Sequence, residues 1–119
     1  MIHGMAEHSQ NYCSTAEYFV AKGYQVMISD LIGHGQTQHQ KGSFQPNDWQ
    51  NMITSQIHLL DKFYHTSETP TFLLGHSMGS FIAQEIALKF PNKLSGLILV
   101  GSTYEPPFKM KCLALMSHL

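Results

Sequence analysis

A serine flanked at fixed spacing by two glycines, Gly75-His76-Ser77-Met78-Gly79, is the part of this chain best suited to covalent chemistry. A serine hydroxyl attacks a carbonyl carbon only when a base takes its proton. The G-x-S-x-G spacing predicts a tight strand-to-helix turn that projects the hydroxyl from the top of a sheet. Side chains at Gly75 and Gly79 would collide with the adjoining strand and helix. The apolar run Phe72-Leu73-Leu74 stands directly before the turn, and a helical pattern stands directly after it. That helix aims its N-terminal amides at the reacting group. Ser77 is therefore the candidate catalytic nucleophile.

Acyl transfer also needs two N–H donors aimed at the tetrahedral oxyanion. One is expected from the residue after the nucleophile, Met78. The other is expected from the His3-Gly4-Met5 turn, at Met5. Both would act through backbone amides, their side chains serving as wall. Glu7 and His8 are expected to fix the loop beside this turn. In Asp30-Leu31-Ile32-Gly33-His34-Gly35 a histidine sits between glycines, and the favoured reading is a sharp loop whose imidazole ties backbone groups together. His58 and His65, on or near a long helix, are expected in solvent, and His118 has no evident partner. No two histidines stand at metal-ligand spacing with a carboxylate, so no metal and no other cofactor is expected.

These residues need elements to hold them. Met1 to His3 looks like the end of a strand. Asn11 to Lys22 reads as a helix with Tyr12, Ala16, Phe19 and Val20 on one face, capped by Ser9 and ended by Gly23. Cys13 is expected in its core face. Gln25 to Ser29 reads as a short strand. Pro46 and Asn47 open a helix to about Tyr64, with a stripe of Trp49, Met52, Ile53, Ile57, Leu60 and Tyr64. Thr71 to Leu74 and Leu97 to Val100 are strands without a polar face, and Met78 to Phe90 is a helix stopped by Pro91. Apolar strands alternating with helices predict an α/β fold with a parallel sheet covered on both sides.

Composition narrows the partners. The 119 residues are 43% hydrophobic and 13% charged, with net charge -1. That suits one packed domain and excludes a disordered chain. No basic patch invites nucleic acid. All seven cationic residues are lysines, so an arginine clamp is absent. Cys13 and Cys112 form neither a disulfide framework nor a C-x-x-C pair. No signal peptide and no membrane-length apolar run is visible, and a cytoplasmic location is the expectation.

Together, His3-Gly4-Met5-Ala6-Glu7-His8, Asp30 through Gly35 and Gly75 through Gly79 resemble the lysophospholipase and monoacylglycerol-lipase-like branch of the α/β-hydrolases, also called the serine aminopeptidase S33 type. Trp49 on the long helix fits it too. The resemblance implies an eight-stranded, mostly parallel sheet with a lid inserted after the sixth strand. Residues 1–105 would be strands three to six with the helices between them, and residues 106–119 the start of the lid. It implies Ser77 as nucleophile, Met5 and Met78 as oxyanion donors, and a small lipid-like ester as substrate. In this family the catalytic acid and histidine follow the lid. Beyond the helix that follows Ser77 this chain holds only Glu105 and His118, and neither fits those places. The expectation is a serine hydrolase whose acid and histidine lie outside these residues, with both edges of its sheet bare. Alternatives are an inactive fragment or gene remnant, an aminopeptidase or thioesterase sharing Ser77, and a second polypeptide supplying the missing groups.

Overall fold

The structure, a computed structural model, describes residues 1–37, 41–64 and 69–103. The expected helices form close to their expected places. Helix α1 spans Cys13–Ala21, α2 spans Asp48–Phe63 and α3 spans Met78–Lys89. Strand β1 is Phe72–His76, and β2 is Gly96–Val100.

Helix α2 owes its start to a reciprocal contact. Gln45 N–H donates to Asp48 Oδ2 at 2.7 Å, and Asp48 N–H donates to the Gln45 carbonyl at 3.0 Å. Its stripe faces the core as expected. Met52, Ile53 and Leu60 are buried, Trp49 and Ile57 pack beside them, and His58 is exposed. Helix α3 buries Ile82, Ala83 and Ile86, and lies against β1, β2 and α2.

The first helix departs from expectation. Ser9–Tyr12 form a 3₁₀ turn before α1. Asn11 Oδ1 accepts the His8 N–H at 2.9 Å, the local side-chain competition that favours a turn over a longer helix. Ser9 acts through its backbone N–H, which donates to Asp30 Oδ1 at 2.7 Å. Gly23 ends the helix with φ 90°, the left-handed conformation that glycine adopts without penalty. No residue of α1 is buried, and Cys13 is exposed rather than in the core. The physical reason is that α1 packs against the 3₁₀ turn and against no other described element.

β1 and β2 pair in parallel, in register from Phe72 opposite Gly96 to His76 opposite Val100. Ile2 joins the other side of β1 through a parallel bridge to Gly75. Its amide donates to the Leu74 carbonyl at 2.8 Å, and its carbonyl accepts from His76 N–H at 3.0 Å. Beyond it, Met27 O accepts from the Met1 amino group at 2.7 Å. The order across the layer is thus residues 25–29, residues 1–3, β1, β2. Residues 25–29 lie where a strand was expected but form no ladder. Their backbone tie to residues 1–3 is the hydrogen bond from the Met1 amino group to the Met27 carbonyl, and one such bond makes no ladder. Among the described residues the parallel sheet is therefore two strands and a bridge rather than four full strands.

β2 is less covered than its composition predicts. Leu97, Ile98, Leu99 and Val100 are 38%, 43%, 39% and 46% exposed, because α3 touches the strand and no other described helix does. Among the described residues, no helix is long and apolar enough to cross a membrane. Residues 106–119, His65, Cys112 and His118 lie outside the described residues.

Candidate active site

The order of the layer reverses between residues 1–3 and β1. From residues 1–3 the chain moves outward to 25–29, then crosses to β1 on the other side and on to β2. Crevices for ligands open at such a reversal, at the carboxyl ends of the strands. Ser77 follows β1 at that end, and Gly4-Met5 follows residues 1–3 at the same end.

Ser77 has φ 50° and ψ -120°, a backbone conformation that costs a non-glycine residue on the order of 1–3 kcal/mol. Three ties impose it. Ser77 N–H donates to the Val100 carbonyl at 2.8 Å. The Ser77 carbonyl accepts from Ser80 N–H at 2.9 Å and from Ser80 Oγ at 2.6 Å. The glycines make the turn sterically possible, as the sequence predicts. A Cβ on Gly75 would lie 2.7 Å from Ser80 Cα, and one on Gly79 would lie 2.5 Å from the His3 carbonyl oxygen.

Gly4 brings the first turn against the second. A Cβ there would stand 3.1 Å from Ser77 Cβ and 2.9 Å from Glu7 Oε2. Met5 and Met78 therefore belong to turns in direct contact. Neither amide donates a hydrogen bond to another described residue, which leaves both able to donate to a ligand. The Met78 side chain is buried, and Met5 is 37% exposed. No described histidine hydrogen-bonds the Ser77 hydroxyl.

Glu7 fixes the loop as expected, and more widely. Its Oε2 accepts from Gly4 N–H at 2.6 Å, from the Tyr12 hydroxyl at 2.7 Å and from His76 Nδ1 at 3.0 Å. Burial alone would raise its pKa, but hydrogen bonds from Tyr12, Gly4 and His76 outweigh it and hold the carboxyl at about 2. Burial and the Glu7 charge raise the Tyr12 phenol. His8 contributes its backbone N–H, which donates to Asn11 Oδ1.

His34 is buried, and its Nδ1 donates to the Ile32 carbonyl at 2.9 Å, the structural role expected of it. Asp30, which the sequence marks only as the start of this loop, is its anchor. Its Oδ1 accepts from Ser9 N–H and its Oδ2 from Gln36 N–H, at 2.7 and 2.8 Å. Gly35, at φ 56°, leaves the space that the Asp30 carboxylate occupies. The signal available in sequence was an aspartate at a strand end followed by two glycines.

The hydrogen bonds from Gln36 and Ser9 lower the Asp30 carboxyl to about 2, from an ordinary 3.8. A carboxylate with a depressed folded pKa contributes stability fully above its unfolded pKa and loses it as pH falls through the folded one. The melting temperature is therefore expected to drop between about pH 5 and pH 2. Asp30→Asn, which leaves one of the two amides without an acceptor, should cost about 1–3 kcal/mol at pH 7 and flatten that drop. Melting curves at several pH values for both proteins check it.

A parallel sheet with helices between its strands, reversed beside a strained serine turn, is the framework of an α/β-hydrolase. The solved structures agree. The carboxyl esterase of Bacillus coagulans, solved with glycerol, superposes with a TM-score of 0.76 at 31% identity, over 99% of this chain and 40% of its own. The monoacylglycerol lipase of Paleococcus ferrophilus gives 0.71 at 22% identity, over 99% and 45%. The chain belongs to the Hydrolase_4 family, serine aminopeptidase S33, which matches residues 1–119. Among curated relatives, phospholipase YtpA of Bacillus subtilis is 35% identical over 100 residues, covering 83% of this chain and 38% of that protein. Human monoglyceride lipase is 31% identical over 108 residues, covering 83% and 32%. The chain thus spans less than half the length of these relatives.

Proposed function

We propose that the full-length protein hydrolyses carboxylic esters of the monoacylglycerol or lysophospholipid class. Ser77 Oγ attacks the ester carbonyl carbon while a histidine base takes the hydroxyl proton. The Met5 and Met78 amides receive the negative charge that develops on the carbonyl oxygen. Collapse of the tetrahedral intermediate breaks the ester bond, and the base returns the proton to the departing alcohol. Water, activated by the same base, then releases the acid from Ser77.

The observation that carries this reading is the pairing of a strained Ser77 with two amides that donate to no other described group. The named activities of relatives support the ester class. The family description favours a second reading, an aminopeptidase, which would use the same groups on an amide. Comparing turnover of a monoacylglycerol with that of an aminoacyl amide separates the two.

Residues 1–119 alone are proposed to be inactive, because no described histidine reaches the Ser77 hydroxyl. The test treats both the full-length protein and residues 1–119 with a fluorophosphonate. The full-length protein should be modified at the peptide bearing Ser77 and the shorter chain should not. Modification of the full-length protein at another serine would overturn the assignment. Ser77-dependent modification of residues 1–119 would overturn their inactivity.

A further inference from the structure

We propose that the Met5 thioether is an oxidation site, at which hydrogen peroxide forms a sulfoxide that lowers ester turnover, an inference that rests on the Met5 amide being an oxyanion donor.

Met1, Met5, Met27, Met52 and Met78 are described, and their settings differ. Met52 and Met78 are buried in the core, and Met1 and Met27 are half-buried in the layer of strands. Among the described methionines Met5 alone is exposed, and it belongs to neither the core nor the hydrophobic residues packed on it. Its turn explains why. Glu7 N–H donates back to the Gly4 carbonyl at 3.4 Å, and Ala6 takes the left-handed φ of 60°. A chain reversing so tightly leaves the Met5 side chain outside the core. The same turn meets the elbow, since a Cβ on Gly4 would stand 3.1 Å from Ser77 Cβ. The thioether is thus carried one residue from the contact between the two turns.

Access to the sulfur follows from the proposed mechanism. The Met5 amide serves the reaction only if a substrate carbonyl reaches it, and a passage that admits an ester admits hydrogen peroxide. The sulfur attacks one peroxide oxygen, so an S–O bond forms and the O–O bond breaks. The sulfur gives up two electrons, and the departing hydroxide takes the remaining peroxide proton and leaves as water. The sulfoxide oxygen carries partial negative charge and accepts hydrogen bonds but donates none. A flexible apolar side chain becomes a polar one beside the place where negative charge develops. Its oxygen repels that charge and competes for the amides that would receive it, in a site where electrostatic effects are large.

Cys13 is the other exposed sulfur-bearing residue among those described, and it stands at the start of α1. Its oxidation is chemically distinguishable. A sulfenic acid is reduced through thiols such as dithiothreitol, whereas a methionine sulfoxide needs methionine sulfoxide reductase.

The full-length protein is treated with hydrogen peroxide, and turnover is followed beside mass spectrometry of its peptides. Turnover should fall roughly tenfold, less than the loss expected for removing a whole oxyanion donor, in step with the addition of one oxygen to the peptide bearing Met5. Methionine sulfoxide reductase should restore it, and dithiothreitol should not. Met5→Leu and Cys13→Ser are each compared with their own untreated turnover. Met5→Leu should keep what it had before treatment, and Cys13→Ser should lose as much as wild type. Complete oxidation at Met5 with turnover unchanged, an equal loss in Met5→Leu, or a loss that Cys13→Ser abolishes would overturn the proposal. Should Met5→Leu fail to fold, the wild type decides alone, and a loss that runs ahead of oxygen uptake at Met5, or that dithiothreitol reverses, would overturn it. Ser77→Ala runs beside them. Hydrolysis that survives Ser77→Ala removes the functional reading itself, whereas Ser77-dependent hydrolysis indifferent to oxidised Met5 removes only this inference.

Discussion

On the proposed mechanism, Ser77→Ala should reduce ester turnover of the full-length protein by about six powers of ten, the scale seen when a nucleophile is lost from a site that acts as a unit. The fold should survive it. Ser77 sits at φ 50° under strain that its hydroxyl does not relieve, since no hydrogen bond within the described residues is made by that oxygen. Ser77→Gly removes the strain as well as the nucleophile. It should therefore be as inactive as Ser77→Ala and about 1 kcal/mol more stable than wild type. Turnover and thermal melting of the three proteins check both halves. Turnover within tenfold of wild type in Ser77→Ala would sink the mechanism. A glycine variant less stable than wild type would mean the turn is not strained at that residue.

Gly79→Ala should be among the most damaging small substitutions in the chain, at about 3 kcal/mol or more. The added methyl would meet the backbone carbonyl oxygens of Ile2 and His3, and Ile2 is the residue that bridges β1. Backbone cannot swing aside as a side chain can. The helix would have to lift from the sheet, taking the Met78 amide with it. Gly42→Ala is the matched control. Nothing lies within 4 Å of a Cβ there, so the cost is confined to its φ of 73°, about 1 kcal/mol. Denaturant unfolding of the two variants should separate them clearly. Similar midpoints would show that the elbow has more slack than the distances imply.

What was legible in the sequence was what local chemistry decides. The elbow is five contiguous residues, and its two glycines are required by contacts within a few residues or across one strand. The stripe on α2 repeats at helical spacing, so Met52, Ile53 and Leu60 were readable as core. Pairing was less legible. Residues 25–29 have the composition of a strand, but a ladder depends on how much backbone lies alongside, a matter of the whole layer. Cys13 and the Leu97–Val100 run failed for the same reason, since composition states what a residue prefers and not what covers it. The anchoring role of Asp30 was not legible because its two amide partners, Ser9 and Gln36, stand 21 residues before it and 6 after it. Glu7 was readable as a loop anchor, but its reach to His76, 69 residues on, was not.

The meeting of the Gly4-Met5 turn with the Ser77 turn bears on how the molecule acquires its chemistry. The two candidate amides are 73 residues apart in the chain (78 minus 5), and closing so long a loop is an entropic cost met before any contact between its ends is gained. Parallel pairing of distant segments is slow for the same reason. The helices can form early, from nearby residues, while the proposed receptor for the oxyanion has to wait until Ile2 docks on β1. Catalytic competence should therefore arrive last during refolding, after helical signal has recovered, and a chain arrested short of that docking would hold the serine in a turn with only half of its charge-stabilising apparatus.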